Sequence, residues 1–90
     1  MSIQSALVVD DSKVAHIKLR KLLEKRSISV EWVNSGEKAI TALQDNSPDV
    51  VFMDIMMPGI DGFETTKAVL SNPSNAKLSI VMCSGNDSAE

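Results

Sequence analysis

Two short apolar runs that each end in acid constrain this chain more than any other feature. Ala6-Leu7-Val8-Val9 passes directly into Asp10-Asp11, and Val50-Val51-Phe52-Met53 passes into Asp54. Four consecutive apolar residues with β-branched members read as strands covered on both faces, the pattern of a parallel sheet. A carboxylate placed just after such a run emerges at the carboxyl edge of the sheet, which is where open α/β sheets bind ligands.

The segments between the runs alternate in period. After the first run, Asp11 or Ser12 can cap a helix that carries Val14, Ala15, Leu19, Leu22 and Leu23 through about Arg26. Ile28 to Val33 reads as a second strand, and Ser35 caps a helix with Ala39, Ile40 and Leu43. Pro48 opens the next unit. Beyond Asp54, Pro58-Gly59 signals a turn, and Asp61 with Glu64 forms a capping-box pattern for a third helix that ends before Asn72-Pro73. Leu78 to Cys83 is a fourth strand. Strand and helix in strict alternation predict an α/β fold, a three-layer arrangement with a parallel sheet between helices. The 90 residues allow one domain, spanning 1–90.

If the first and third strands are neighbours, three carboxylates converge at one edge. Their mutual repulsion costs about 1–4 kcal/mol per pair, depending on the effective dielectric. A hard divalent cation offsets that cost when every available ligand is oxygen, and Mg2+ takes one or two carboxylates with water and a phosphate oxygen. No Cys or His cluster suits zinc. A carboxylate beside Mg2+ can also act as a nucleophile and form an aspartyl phosphate. The plainer alternative, that these acids are only caps and loop residues, fits Asp61 and stays open for Asp11 alone. It fits poorly for the doublet and Asp54 together. A Mg2+ phosphatase of the Asp-x-Asp kind fits poorly too, because Ile55-Met56 follows Asp54.

A net charge of −3 argues against nucleic acid as a partner. No stretch approaches the ~20 apolar residues of a membrane helix. The single cysteine, Cys83, reads as a small buried hydrophobe, and its solitude fits a reducing, cytoplasmic setting.

The residues Leu7-Val8-Val9-Asp10-Asp11-Ser12, Asp49 through Gly62, and Ile80-Val81-Met82-Cys83-Ser84-Gly85 together resemble the response-regulator receiver family of two-component systems. Asn34-Ser35-Gly36-Glu37-Lys38-Ala39 adds to the likeness, which covers essentially the whole chain. The resemblance implies a flavodoxin-like, CheY-like fold with strand order 2-1-3-4. It implies Asp54 as phosphoacceptor, with Mg2+ held by Asp10, Asp11, the Asp54 side chain and the Met56 backbone carbonyl. It also implies Ser84 as a switch hydroxyl, and a sensor histidine kinase or histidine phosphotransfer protein as donor. Such a module is not an enzyme beyond its own phosphorylation and dephosphorylation.

The family carries a lysine after a fifth strand, whereas the last lysine here is Lys77. Asn86-Asp87-Ser88 reads as a helix start with only two residues behind it, so the sequence is expected to be a truncated receiver. Two readings follow: a phosphoacceptor, and a non-catalytic fragment that self-associates through an exposed fourth-strand edge or by element exchange. Other features have plain readings. Lys13, Lys18, Arg20, Lys21, Lys25 and Arg26 form a solvated helix face, His16 lies at the surface, and Trp32, Phe63 and Met57 pack.

Overall fold

A computed structural model describes residues 3–45 and 47–83. Within them, strands β1 (Ser5–Val9), β2 (Ser29–Val33), β3 (Val50–Asp54) and β4 (Ser79–Cys83) alternate with helices α1 (Lys13–Glu24), α2 (Gly36–Asp45) and α3 (Gly62–Leu70). A 3-10 turn at Pro73–Asn75 precedes β4. All strand pairs are parallel, in the order β2-β1-β3-β4. The α/β architecture and the 2-1-3-4 order expected from the sequence are both present.

Alternation along β1 divides the core in two. Leu7 and Val9 point to one face, where they meet Val51 and Met53 of β3, Ala39 and Leu43 of α2, Val69 of α3, and Met57. Ala6 and Val8 point to the other, against Val50, Ile28 and Leu23 of α1. Both runs are therefore buried on two faces, which is why they show no polar alternation. β4, one of the two outer strands among the described residues, does alternate: Ser79 and Val81 are exposed while Ile80 and Met82 pack inward.

Helix starts follow the capping signals. Ser12, rather than Asp11, caps α1, its side chain accepting from the Ala15 N–H at 3.2 Å. Ser35 Oγ accepts from the Lys38 N–H, and Asp61 Oδ1 from the Glu64 N–H. The first helix stops at Glu24, two residues short of the expected end, and Ser27 at φ 62° turns the chain toward β2.

Three expectations about α1 are corrected. Val14 and Leu22 are 64% and 60% exposed, so they do not form the packing face. That face is His16, Leu19, Arg20 and Leu23, spaced i, i+3, i+4, i+7, with Leu19 and Arg20 half-buried and His16 and Leu23 buried. His16 is thus not a surface residue: its ring lies flat on Trp32, centroids 4.3 Å apart and planes 7° from parallel. Arg20 is no free solvent charge either, because its Nη2 donates to the Val30 carbonyl of β2. The other five basic residues near the helix are exposed, as expected.

Candidate functional site

Parallel pairing of β1 with β3 places Val9 beside Met53, so the residues that follow each strand leave the same edge together. Asp10, Asp11 and Asp54 converge there, each offering a carboxylate oxygen, with these atoms all within 4.8 Å of one another. Asp54 is only 4% exposed, Asp10 is half-buried and Asp11 is exposed.

Each acid is held by a different local device. Asp10 is pinned along its backbone: its N–H donates to the Val33 carbonyl at 3.1 Å, and its carbonyl accepts from Trp32 Nε1 at 2.8 Å. Its Oδ1 also accepts from the Ser12 N–H at 2.8 Å, which folds the carboxylate over the start of α1. Asp54 closes β3 opposite Cys83, and the chain beyond it turns back through the 2.8 Å bond from the Gly62 N–H to the Ile55 carbonyl. That return brings Gly62 so near the Asp54 carbonyl and Ile55 Cα that a side chain would strike backbone. Glycine at this position is what lets α3 begin against the site. Gly36, at the start of α2, instead allows close approach to α3 and the loop before it, where a Cβ would meet Thr65 Oγ1 and Ile60.

The electrostatics are unbalanced. Asp54 Oδ1 is buried and has no hydrogen-bond partner. Burial, and next the Asp10 charge, push the Asp54 carboxyl from 3.8 up to about 6, with Asp11 adding to the rise; a hydrogen bond from the Met56 backbone works against it. A buried acid with one orphaned oxygen and a raised pKa beside two other carboxylates is a functional-site candidate. Oxygen-only ligands at this spacing, one of them orphaned, suit a hard divalent cation.

The predicted trio is therefore brought together. Met56 lies in the loop just past Asp54, its side chain 73% exposed and its backbone beside the carboxylate. Ser84, the expected switch hydroxyl, and the Asn86-Asp87-Ser88 signal lie outside the described residues. Cys83 is half-buried rather than buried, and burial raises its thiol above the ordinary range, with Asp10 and Asp54 adding to the effect. Met57 packs in the core as expected, but Phe63 does not: it is 59% exposed in the first turn of α3. With Ile55, Met56, Pro58 and Asp61 it lines an open groove of about 480 Å³ beside the acids. Sequence reasoning missed what holds Asp10. The helical spacing of His16 with Leu23 was the available signal for the ring stacked behind Trp32.

The profile of the response regulator receiver domain matches residues 6–90. The chain belongs to the response regulator receiver family. The receiver is 32% identical over 81 residues to the protein PilH of Pseudomonas aeruginosa, covering 90% of this chain and 67% of PilH. It is 35% identical over 82 residues to the response regulator MprA of Mycobacterium sp. strain KMS, covering 91% of this chain and 35% of MprA. Among solved structures, a CheY-like receiver domain from Methylobacillus flagellatus superposes with a TM-score of 0.85 at 30% identity, covering 97% of this chain and 74% of that one. The matched region thus spans from about a third to two thirds of these curated relatives. Among the described residues, no helix is long and apolar enough to cross a membrane.

Proposed function

We propose that this receiver is a cytoplasmic phosphoacceptor, in which Asp54 takes a phosphoryl group with Mg2+ bound by Asp10, Asp11, Asp54 and the Met56 backbone carbonyl. The observation that carries the reading is the orphaned, buried Asp54 Oδ1 within 4.8 Å of the other two carboxylates. A metal bound there would neutralise the acids and the developing charge on the phosphoryl group. The donor is a phosphohistidine of a sensor kinase or phosphotransfer protein. An Asp54 carboxylate oxygen forms the new O–P bond, the N–P bond breaks, and the departing imidazole nitrogen takes a proton. Asp10 is held at its backbone and has its Oδ1 engaged by the Ser12 N–H, whereas Asp54 sits buried in the cluster with a free oxygen. Ser84 is the hydroxyl assigned to the phosphoryl oxygens by family resemblance.

Incubating the chain with Mg2+ and acetyl phosphate, read by intact mass, tests this. One added phosphoryl group on the wild type and none on Asp54→Asn is expected; an unchanged wild-type mass removes the reading.

A second reading, self-association through an edge strand, draws on β4, whose Val81 is 44% exposed at one edge of the described sheet. Light scattering across a concentration series should then show mass rising with concentration, and a constant monomer mass would remove it.

A further inference from the structure

The peptide joining Asp10 to Asp11 has an unusual anchor. Trp32, the only tryptophan in the chain, points its indole N–H from β2 at the Asp10 carbonyl, 2.8 Å away. That carbonyl and the Asp11 N–H belong to one planar unit, so fixing the oxygen fixes the direction in which the chain leaves toward Asp11. Nothing else in the doublet restrains this plane from the β2 side except the Asp10 N–H bond to Val33, which acts on the preceding peptide.

The indole is itself held in place. The His16 ring stacks on it almost parallel, and both imidazole nitrogens are buried with no hydrogen-bond partner. Burial, with Arg20 next, lowers the His16 pKa and so favours the uncharged ring. A histidine that uses neither nitrogen contributes a flat surface, which is what the back of the indole requires. The order of support runs from α1 through His16 and Trp32 to the Asp10–Asp11 peptide.

We propose that Trp32 is a positioning residue of the acid cluster: its indole N–H sets the Asp10–Asp11 peptide plane, and through it the places of both carboxylates, while His16 keeps the ring from turning. The proposal rests on the Mg2+ reading of the cluster. Groups that orient ligands without touching the metal commonly alter its affinity by about 10–100-fold when removed. Trp32 acts on backbone rather than on a ligand side chain, so the low end of that range, roughly tenfold, is expected.

The test replaces the indole N–H and little else. Trp32→Phe keeps an aromatic ring against His16, and a benzothiophene analogue of tryptophan at position 32 keeps the full bicyclic shape with sulfur in place of N–H. Mg2+ affinity is read from amide shifts during titration of the full chain, alongside the metal-free melting temperature and the metal-free carbonyl ¹³C shift of Asp10. In both variants the Mg2+ affinity should weaken roughly tenfold and the Asp10 carbonyl shift should move. His16→Phe, which preserves the stacked ring, should bind within about twofold of wild type. Wild-type affinity in the benzothiophene protein overturns the proposal, whatever happens to its melting temperature. A wild-type chain that binds no Mg2+ at all refutes the metal reading instead, and the carbonyl shift then decides: an unchanged Asp10 signal overturns the positioning role.

Discussion

Two aspartates bracket β3, five residues apart, and they are treated in opposite ways. Asp49 lies at the amino edge, where its Oδ2 accepts from the N–H groups of Gln4 at 2.7 Å and Ser5 at 3.2 Å. Its own N–H donates back to Ser5. The carboxylate is exposed and answered, and it stitches the start of β1 to β3. Asp54, at the carboxyl edge, is buried, lacks a partner for one oxygen, and faces two more acids. A charge satisfied by backbone donors serves the fold. A charge buried without them weakens the fold and is retained for what it can bind or attack.

The sharpest way to break this contrast is phosphorylation. Asp54→Asn should abolish phosphoryl uptake from acetyl phosphate, while Asp49→Ala should leave it intact; equal uptake by the two variants would dissolve the distinction.

Stability should separate them in the reverse sense. The Asp54 carboxyl titrates near 6 in the fold against an ordinary 3.8, so the folded state holds its proton more tightly than the unfolded chain does. Its contribution to stability is fully present below about 3.8 and is lost as pH rises through about 6. Metal-free Asp54→Asn should therefore be more stable than wild type at pH 7, by at most about 3 kcal/mol, and indistinguishable near pH 4. Urea denaturation in EDTA at the two pH values measures this, and a variant less stable at pH 7 would count against the unpaired charge.

Asp49→Ala should instead lose about 1 kcal/mol, since the two amide donors it leaves are exposed and water can answer them. That loss should be the same with and without Mg2+, whereas the Asp54→Asn difference should shrink or reverse once Mg2+ stabilises the wild type.

The smallest effect concerns His16, whose titration runs opposite to that of Asp54. Its folded pKa lies below 6.5, so its stabilising contribution is present above 6.5 and is lost as pH falls below it. Denaturation midpoints of His16→Phe should fall less steeply than those of wild type between pH 7 and pH 5. Parallel slopes would mean that the imidazole charges freely in the fold.

Much of this was legible in the sequence, for identifiable reasons. The runs Ala6–Val9 and Val50–Met53 are apolar on both faces, and only a covered parallel sheet buries both; the strand order, and with it the meeting of Asp10 with Asp54, came from the receiver resemblance and not from the runs. Caps at Ser12, Ser35 and Asp61 were readable because the side chain that accepts lies three residues from its donor. The face of α1 was not, because Leu22 and Leu23 sit side by side in sequence and point about 100° apart, and a polar His16 belongs to the buried stripe. Trp32 packs as expected, but its hydrogen bond and those of Asp49 were missed. Their partners, Gln4, Ser5 and Asp10, are distant in sequence, and only the strand register brings them within reach. Phe63 was misread because an aromatic side chain in the first turn of a helix can face outward when its neighbour Gly62 occupies the close contact.

The most direct measurement is the pattern of amide line broadening by substoichiometric Mn2+, used as a paramagnetic stand-in for Mg2+. Signals from Asp10 to Ser12 and from Asp54 to Met56 should disappear together, while those of Gln4, Ser5 and Asp49 at the opposite edge stay sharp, and excess Mg2+ should restore the first set. Broadening spread over the exposed acids, or confined to one strand end and unchanged in Asp54→Asn, would contradict a cation shared between β1 and β3.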